Sequence, residues 1–382
     1  MNRKLRMGMI GGGRGAFIGA VHRMAAALDG EIELVCGAFS STAEKSIASG
    51  NDLMLAPERC YGDYKEMIEK EKLRPDKMDI VAIVTPNHMH FAPAKMALEN
   101  GFHVICDKPV CFNLAEAKKL KAVIDKTKMC FALTHNYTGY PMVKEARHLI
   151  KKGVLGKIRK IIVEYPQGWL SFAEELKGTN KQAEWRTDPK RSGIAGAIGD
   201  IGTHAENLVE YITGLKITEL CADVSTFVPK RRLDDDANML LRFEKGAKGI
   251  LHCSQVCNGD QNGLNIRVYG ENGSLQWRQE TPQYLHHKSI GGHNIYQPDV
   301  GNLSEEAKNN TRIPFGHPEG YLEAFANIYR NFARTVRKKM NGQKPTALEL
   351  DFPTIDDGIR GLQFVEAAIK SGRNNARWVK LR

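Results

Sequence analysis

No apolar run in this 382-residue sequence is long enough to cross a bilayer, and no leader-length apolar stretch follows its basic first residues. The expectation is a cytoplasmic protein with no membrane partner. There is no internal repeat and no low-complexity tract. A disulfide framework is also missing. The eight cysteines are scattered, several inside apolar strand-like runs (Cys36, Cys106, Cys130), as reduced core thiols would be. The close pairs are Cys106 with Cys111 and Cys253 with Cys257. Strand alternation would put the second pair on one face, but no further His or Cys stands at metal-ligand spacing, so no metal is expected. Nor is there a basic arm. The net charge of +11 comes from 55 basic and 44 acidic residues. The basic ones are spread along helix faces (Lys118, Lys119, Lys121; Lys151, Lys152; Arg337, Lys338, Lys339). That pattern reads as solvated surface with attraction for anionic ligands, and no nucleic-acid partner is expected.

The chain is long enough for two domains, each with its own core. Hydrophobic residues at 42% and charged residues at 26% fit a globular enzyme. Strand and helix alternate through the first third. Strands are expected at 6–10, 32–39, 79–84, 102–106 and 129–133. Helices are expected at 17–28, after a cap at Ser41, at 64–71, at 91–100 with Gly101 following, and from a capping box at Asn113 to residue 127. This order predicts a parallel, doubly wound sheet. After Asn136 the rhythm changes. Helices at 142–152 and 203–213 flank a strand at 158–165. Strands then follow without helices between them, at 219–228, 238–243, 249–257, 264–269 and 274–277, separated by turn signals such as Asn262-Gly263. The fold class expected is thus an N-terminal Rossmann domain over 1–135 and a C-terminal α+β domain over 136–382 on an open, mostly antiparallel sheet. Residues 281–316 read as a long loop. Helices at 319–340 and 354–371 and a short strand at 377–381 close the chain, with the 354–371 helix packing back on the first domain.

Gly11-Gly12-Gly13-Arg14-Gly15-Ala16 fits G-x-G-x-x-[G/A] between the first strand and the first helix. Gly11 allows the tight turn, Gly13 lets backbone approach a pyrophosphate, and Ala16 allows close helix packing. An NAD enzyme usually ends its second strand in an acid that holds the ribose 2′-OH. Here that strand ends Ala38-Phe39-Ser40-Ser41, with no acid and no adjoining Arg for a 2′-phosphate. Ser40 and Ser41 could bond to either cofactor, so NAD stands first and NADP stays open. Thr85-Pro86-Asn87-His88 and Cys106-Asp107-Lys108-Pro109 each follow a strand at its carboxyl end, where ligands bind in such sheets. The plainer readings are a proline turn and a surface lysine. Placed there, the Lys108 charge could steady a developing alkoxide. Further on, Gly199-Asp200-Ile201-Gly202-Thr203-His204 sets a carboxylate and an imidazole four apart on one helix face. Ile201, Ala205, Leu208 and Ile212 make an apolar stripe beside the polar line Asp200, His204, Asn207 and Tyr211, as a cleft-lining helix would. His204 can accept a hydroxyl proton near neutral pH. Alone, the pair reads equally well as a helix cap and a satisfied histidine. Beside the other motifs it reads as proton-handling chemistry.

These motifs, with His90 after Thr85-Pro86-Asn87 and with Trp185-Arg186, occur in the order seen in the Gfo/Idh/MocA oxidoreductases, and the chain resembles that family over nearly its whole length. The resemblance implies oxidation of a sugar or cyclic polyol by NAD(P), with a homodimer or homotetramer formed through the C-terminal sheet. It implies Lys108, Asp200 and His204 as the catalytic set, His204 being the proton acceptor. It implies cofactor contacts from Gly11, Gly13, Ala16, Phe17, Ile18, Ser40, Ser41, Thr85, Asn87, His90, Asp107, Lys108, Trp185 and Arg186. Substrate contacts are implied for Lys108, Asn136, Asp200, His204 and His317. Asp107 stands where the family usually has Glu. The runs Gly15 through Arg23, Gly199 through Asn207 and His317 through Tyr321 resemble the levoglucosan and glucoside dehydrogenase branch, which implies attack at a secondary hydroxyl such as C3 of a glucose-type ring. An alternative within the resemblance is an NAD-requiring glycoside hydrolase that oxidises transiently, eliminates the aglycone and returns the hydride.

Overall fold

The computed structural model describes residues 3–381. Where the sequence reading places one cut between residues 135 and 136, the chain groups into two compact units. One is Met1–Gly139 with Tyr321–Ile359, the other Tyr140–Gly320 with Arg360–Arg382.

In the first unit, five strands alternate with helices: β1 (Leu5–Gly11), α1 (Phe17–Leu28), β2 (Ile32–Ala38), α2 (Ala43–Asp52), α3 (Tyr64–Leu73), β3 (Ile80–Val84), α4 (Phe91–Glu99), β4 (His103–Cys106), α5 (Leu114–Thr127) and β5 (Phe131–Leu133). The strands lie in the order β2-β1-β3-β4-β5, and every pairing is parallel. This is the Rossmann sheet expected. The central β3 is Ile-Val-Ala-Ile-Val, buried at all five positions, because helices cover both faces of a parallel sheet. Asn113 caps α5 by accepting from Glu116 N at 3.0 Å. The return bond of the expected box is displaced by one residue: the Glu116 carboxylate accepts from Phe112 N. The cap before α2 is Thr42, not Ser41. The extended residue that opens a helix is set by backbone geometry, and adjacent Ser, Ser and Thr offer the same side-chain chemistry.

In the second unit, α6 (Pro141–Lys151), β6 (Ile158–Pro166), α7 (Lys181–Arg186), α8 (Pro189–Ser192) and α9 (Thr203–Thr213) precede the run β7 (Ile217–Ser225), β8 (Asp236–Phe243), β9 (Lys248–Ser254), β10 (Asn265–Gly270) and β11 (Ser274–Arg278). Residues 281–316 are not one long loop. They hold β12 (Leu285–Ser289), β13 (Gly292–Tyr296) and α10 (Glu305–Asn309). The hairpin escaped sequence reading because its residues do not alternate apolar with polar; only Leu285 is buried on β12, and β13 buries none. The sheet runs β13-β12-β11-β10-β6-β9-β8-β7-β14, β14 being Val379–Lys380. All neighbours are antiparallel except β6 and β9. One face buries Ile161, Val163, Leu251 and Met239. The opposite face leaves Leu240 exposed and Ile162 and Ile250 half-buried.

After β13 and α10, the chain returns to the first unit as α11 (Tyr321–Met340). Phe325, Tyr329, Phe332 and Val336 of α11 join Leu5, Met7, Val21 and Ala25 in one core. The last helix, α12 (Ile355–Arg373), starts in the first unit and ends in the second. Among the described residues, no helix is long and apolar enough to cross a membrane, no group of three metal-ligating side chains is present, and all eight cysteines are free.

Candidate active site

In the first unit, the singled-out residues gather at one edge. Gly11–Ala16 follows β1, Ser40 and Ser41 follow β2, Thr85–His90 follows β3, Asp107 and Lys108 follow β4, and Asn136 follows β5. That is the carboxyl edge of the parallel sheet, with the glycine turn at β1, where the strand order reverses.

The turn is built for close approach. Gly11, Gly12 and Gly15 have φ of +83°, +73° and +73°. A Cβ on Gly13 would stand 2.7 Å from Ser49 Oγ and 2.8 Å from Phe39 O. A Cβ on Gly19 would stand 2.4 Å from Gly12 Cα. The tight helix-to-turn contact is thus made by Gly19, while Ala16 is the extended residue before α1. No side chain caps α1, so its first N–H groups are open to an anion. A cavity of about 430 Å³ lies over this turn, lined among others by Gly13, Gly15, Phe17, Arg23 and Ser49. Phe17 is 67% exposed beside it, and Ile18 is half-buried. Arg14 is held by Asp52 of α2, at 2.5 and 2.7 Å. Ser40 is half-buried and Ser41 exposed at the end of β2.

Further along the edge, His90 is fully buried with each ring nitrogen on a carbonyl oxygen, Nδ1 2.6 Å from Pro109 and Nε2 2.8 Å from Thr85. The ring ties the turn after β3 to the loop after β4. Burial pushes its ionisation down, with Asp107 opposing. Asp107 Oδ1 accepts from Lys108 N at 2.9 Å and Thr134 Oγ1 at 2.8 Å. Burial would raise the Asp107 carboxyl, but His22, Lys108 and His90 outweigh it and hold the group well below the usual carboxylate range. His135 is buried nearby, and burial together with the Lys108 charge pushes it down to about 3. Asn136 is buried with its Nδ2 lacking a hydrogen-bond partner. An orphan donor at a ligand-binding edge is suited to a ligand acceptor.

In the second unit, Asp200 and His204 are expected on one helix. Asp200 falls in a π-helical turn, Ile198–Gly202, that runs directly into α9. Such turns are frequent at functional sites. The apolar stripe Ile201, Ala205, Leu208 and Ile212 is buried throughout. Asp200 Oδ2 accepts from Gln255 Nε2 at 2.9 Å and from Arg186 Nε at 3.3 Å. The Arg186 guanidinium lies 4.2 Å from the centre of the Trp185 ring and 2.6 Å from Gln182 Oε1. The Asp234 carboxylate accepts from Gly196 N and Ile198 N at the start of the turn, and burial lifts its ionisation to about 6. His204 is buried, with the Tyr165 ring 6.4 Å from its own. His317 is exposed, its Nδ1 3.1 Å from Pro314 O of its own loop. Sequence reading missed His22, Thr134, Gln255 and Asp234. Gln255 carried a weak signal, since a polar residue follows an apolar strand there.

Two family descriptions match this chain: an oxidoreductase family with an NAD-binding Rossmann fold over residues 5–135, and the GFO/IDH/MocA C-terminal domain over residues 143–276. The chain belongs to the GFO/IDH/MocA oxidoreductase family. An oxidoreductase structure from Sinorhizobium meliloti is 47% identical, with a TM-score of 0.90 over 99% of this chain and 100% of that one. The inositol dehydrogenase homolog of Azotobacter vinelandii, complexed with NADH and myo-inositol, is 34% identical, with a TM-score of 0.92 over 100% and 98%. Levoglucosan dehydrogenase of Pseudarthrobacter phenanthrenivorans is 27% identical over 73% of this chain and 74% of that protein. The NAD-binding domain of this GFO/IDH/MocA member fits its cofactor: the Gly13 approach and the uncapped start of α1 are what a dinucleotide would use.

Proposed function

We propose that this family member is an NAD(P)-dependent dehydrogenase that oxidises a secondary hydroxyl of a cyclic polyol, sugar or glycoside, such as C3 of a glucose-type ring. The observation that carries the reading is the Asp200 carboxylate fixed by Gln255 and Arg186 at the head of the helix that bears His204. The myo-inositol and levoglucosan named for its relatives are both rich in ring hydroxyls and support the substrate class. When bound, NAD supplies the nicotinamide that accepts hydride. His204 takes the hydroxyl proton on an imidazole nitrogen. The Lys108 ammonium steadies the negative charge growing on that oxygen, and Asp200 fixes the geometry.

The test is a panel of inositols, anhydrosugars, glucosides and free sugars with NAD and NADP, following reduced-nicotinamide absorbance. One of these polyols should give net reduction. Aglycone release from a glucoside without net reduction would replace this reading with the hydrolytic one. His204→Ala should lower turnover by roughly 10²–10⁴ while NADH binding stays near wild type. Wild-type turnover in that variant would remove His204 as the base.

A further inference from the structure

His22 is a fully buried imidazole in α1, a helix face otherwise given to Val21, Ala25 and Ala26. Burying such a group costs free energy unless its polar atoms are matched. Its Nδ1 lies 2.7 Å from the hydroxyl of Tyr329 on α11. That phenol is itself fully buried, and burial holds its ionisation well above the usual value, so it keeps its proton. Among the described residues, His22 Nδ1 is the hydrogen-bond partner that receives this proton. A neutral ring that accepts at Nδ1 carries its own proton on Nε2. Nε2 makes no hydrogen bond and points at Asp107 Oδ1, 3.9 Å away. The same oxygen accepts from the backbone N–H of Lys108 and from Thr134 Oγ1. The Lys108 charge and His90 also favour the ionised form of Asp107.

We infer that His22, with its tautomer set by Tyr329, is a positioning residue that acts through Asp107 to hold Lys108. The Nε2–H presents a dipole to the carboxylate and keeps Oδ1 turned toward the Lys108 amide. At 3.9 Å this is an electrostatic contact and not a hydrogen bond. The inference rests on the role proposed above for Lys108. A histidine that merely filled space would need only the Tyr329 bond.

Three variants separate these readings. In His22→Asn the amide oxygen can replace Nδ1 as acceptor for Tyr329, and no donor reaches Asp107. In His22→Gln the amide nitrogen reaches the Nε2 position and restores the donor. In Tyr329→Phe the ring loses the proton donor that fixes its tautomer. Steady-state kinetics, NADH binding by fluorescence and thermal melting are measured for each, with Lys108→Met alongside. His22→Asn and Tyr329→Phe are expected to lower kcat about ten-fold or more, with the KM for NAD and the NADH Kd near wild type. His22→Gln is expected to stay within about three-fold of wild type. Equal losses in the Asn and Gln variants, or wild-type kcat in His22→Asn, would overturn the inference. If neither variant at 22 folds, Tyr329→Phe decides, and wild-type kcat there overturns it. Wild-type kcat in Lys108→Met would instead overturn the proposed function beneath it.

Discussion

His103 gives the first unit a pH dependence that follows from one hydrogen bond. Its ring is buried at the start of β4, and Nδ1 accepts from Cys130 N at 2.8 Å, which a protonated ring cannot do. Burial, with Lys339 adding to it, pushes the group down to about 4 from an ordinary 6.5. The unfolded chain therefore binds this proton more tightly than the folded one. Stability from this site is complete above pH 6.5 and is lost as pH falls toward 4, by up to about 3 kcal/mol. Urea titrations between pH 7.5 and 4.5 should show that slope, and His103→Gln should flatten it. A variant with the wild-type slope would refute the assignment. Sequence alone pointed to Lys108, Asp200 and His204 as candidates, because each stands at a fixed offset from a strand end or helix start. It hid His22, whose spacing on α1 matches the apolar face, and whose partner Tyr329 lies on the far side of the second unit in the chain. Gln255 was hidden for the same kind of reason: its bond to Asp200 joins elements distant in sequence.

Elements with a strong period were legible, and those shaped by neighbours were not. The β1–α1 junction announced itself through its glycines, and β3 through its unbroken apolar run. The π turn before α9 left no such mark. Its register depends on Asp234, which grips Gly196 N and Ile198 N from far along the chain. The β12–β13 hairpin was illegible because its residues do not alternate apolar with polar, and only Leu285 is buried. At the β1–α1 junction the structure adds a prediction. An added methyl at Gly19 would meet backbone atoms of Gly12, which cannot rotate away as a side chain could. Gly19→Ala should therefore shift α1 from the turn, cost about 1–3 kcal/mol, and weaken NADH binding together with stability. Thermal melting and fluorescence titration check both; unchanged NADH affinity would show that the close approach is dispensable.

At the level of the whole molecule, one face of the second unit's sheet leaves Leu240 exposed, with Ile162 and Ile250 half-buried beside it. The family resemblance implies a homodimer or homotetramer through this sheet, and we propose this face as the interface. Leu240→Arg should then lower the mass seen by light scattering, and an unchanged mass would move the interface elsewhere. The order of the units along the chain has a consequence of another kind. Domains commonly fold in the order they are translated. Here β1 through β5 leave the ribosome first, yet the helix that covers Val21 and Ala25 is α11, translated only after β6 through β13 of the second unit. The nascent first unit therefore holds an open apolar seam while most of its neighbour is being made. The histidine facing Asp107 gains its tyrosine in the same late step, so closure of that core and completion of the Lys108 support are one event in synthesis.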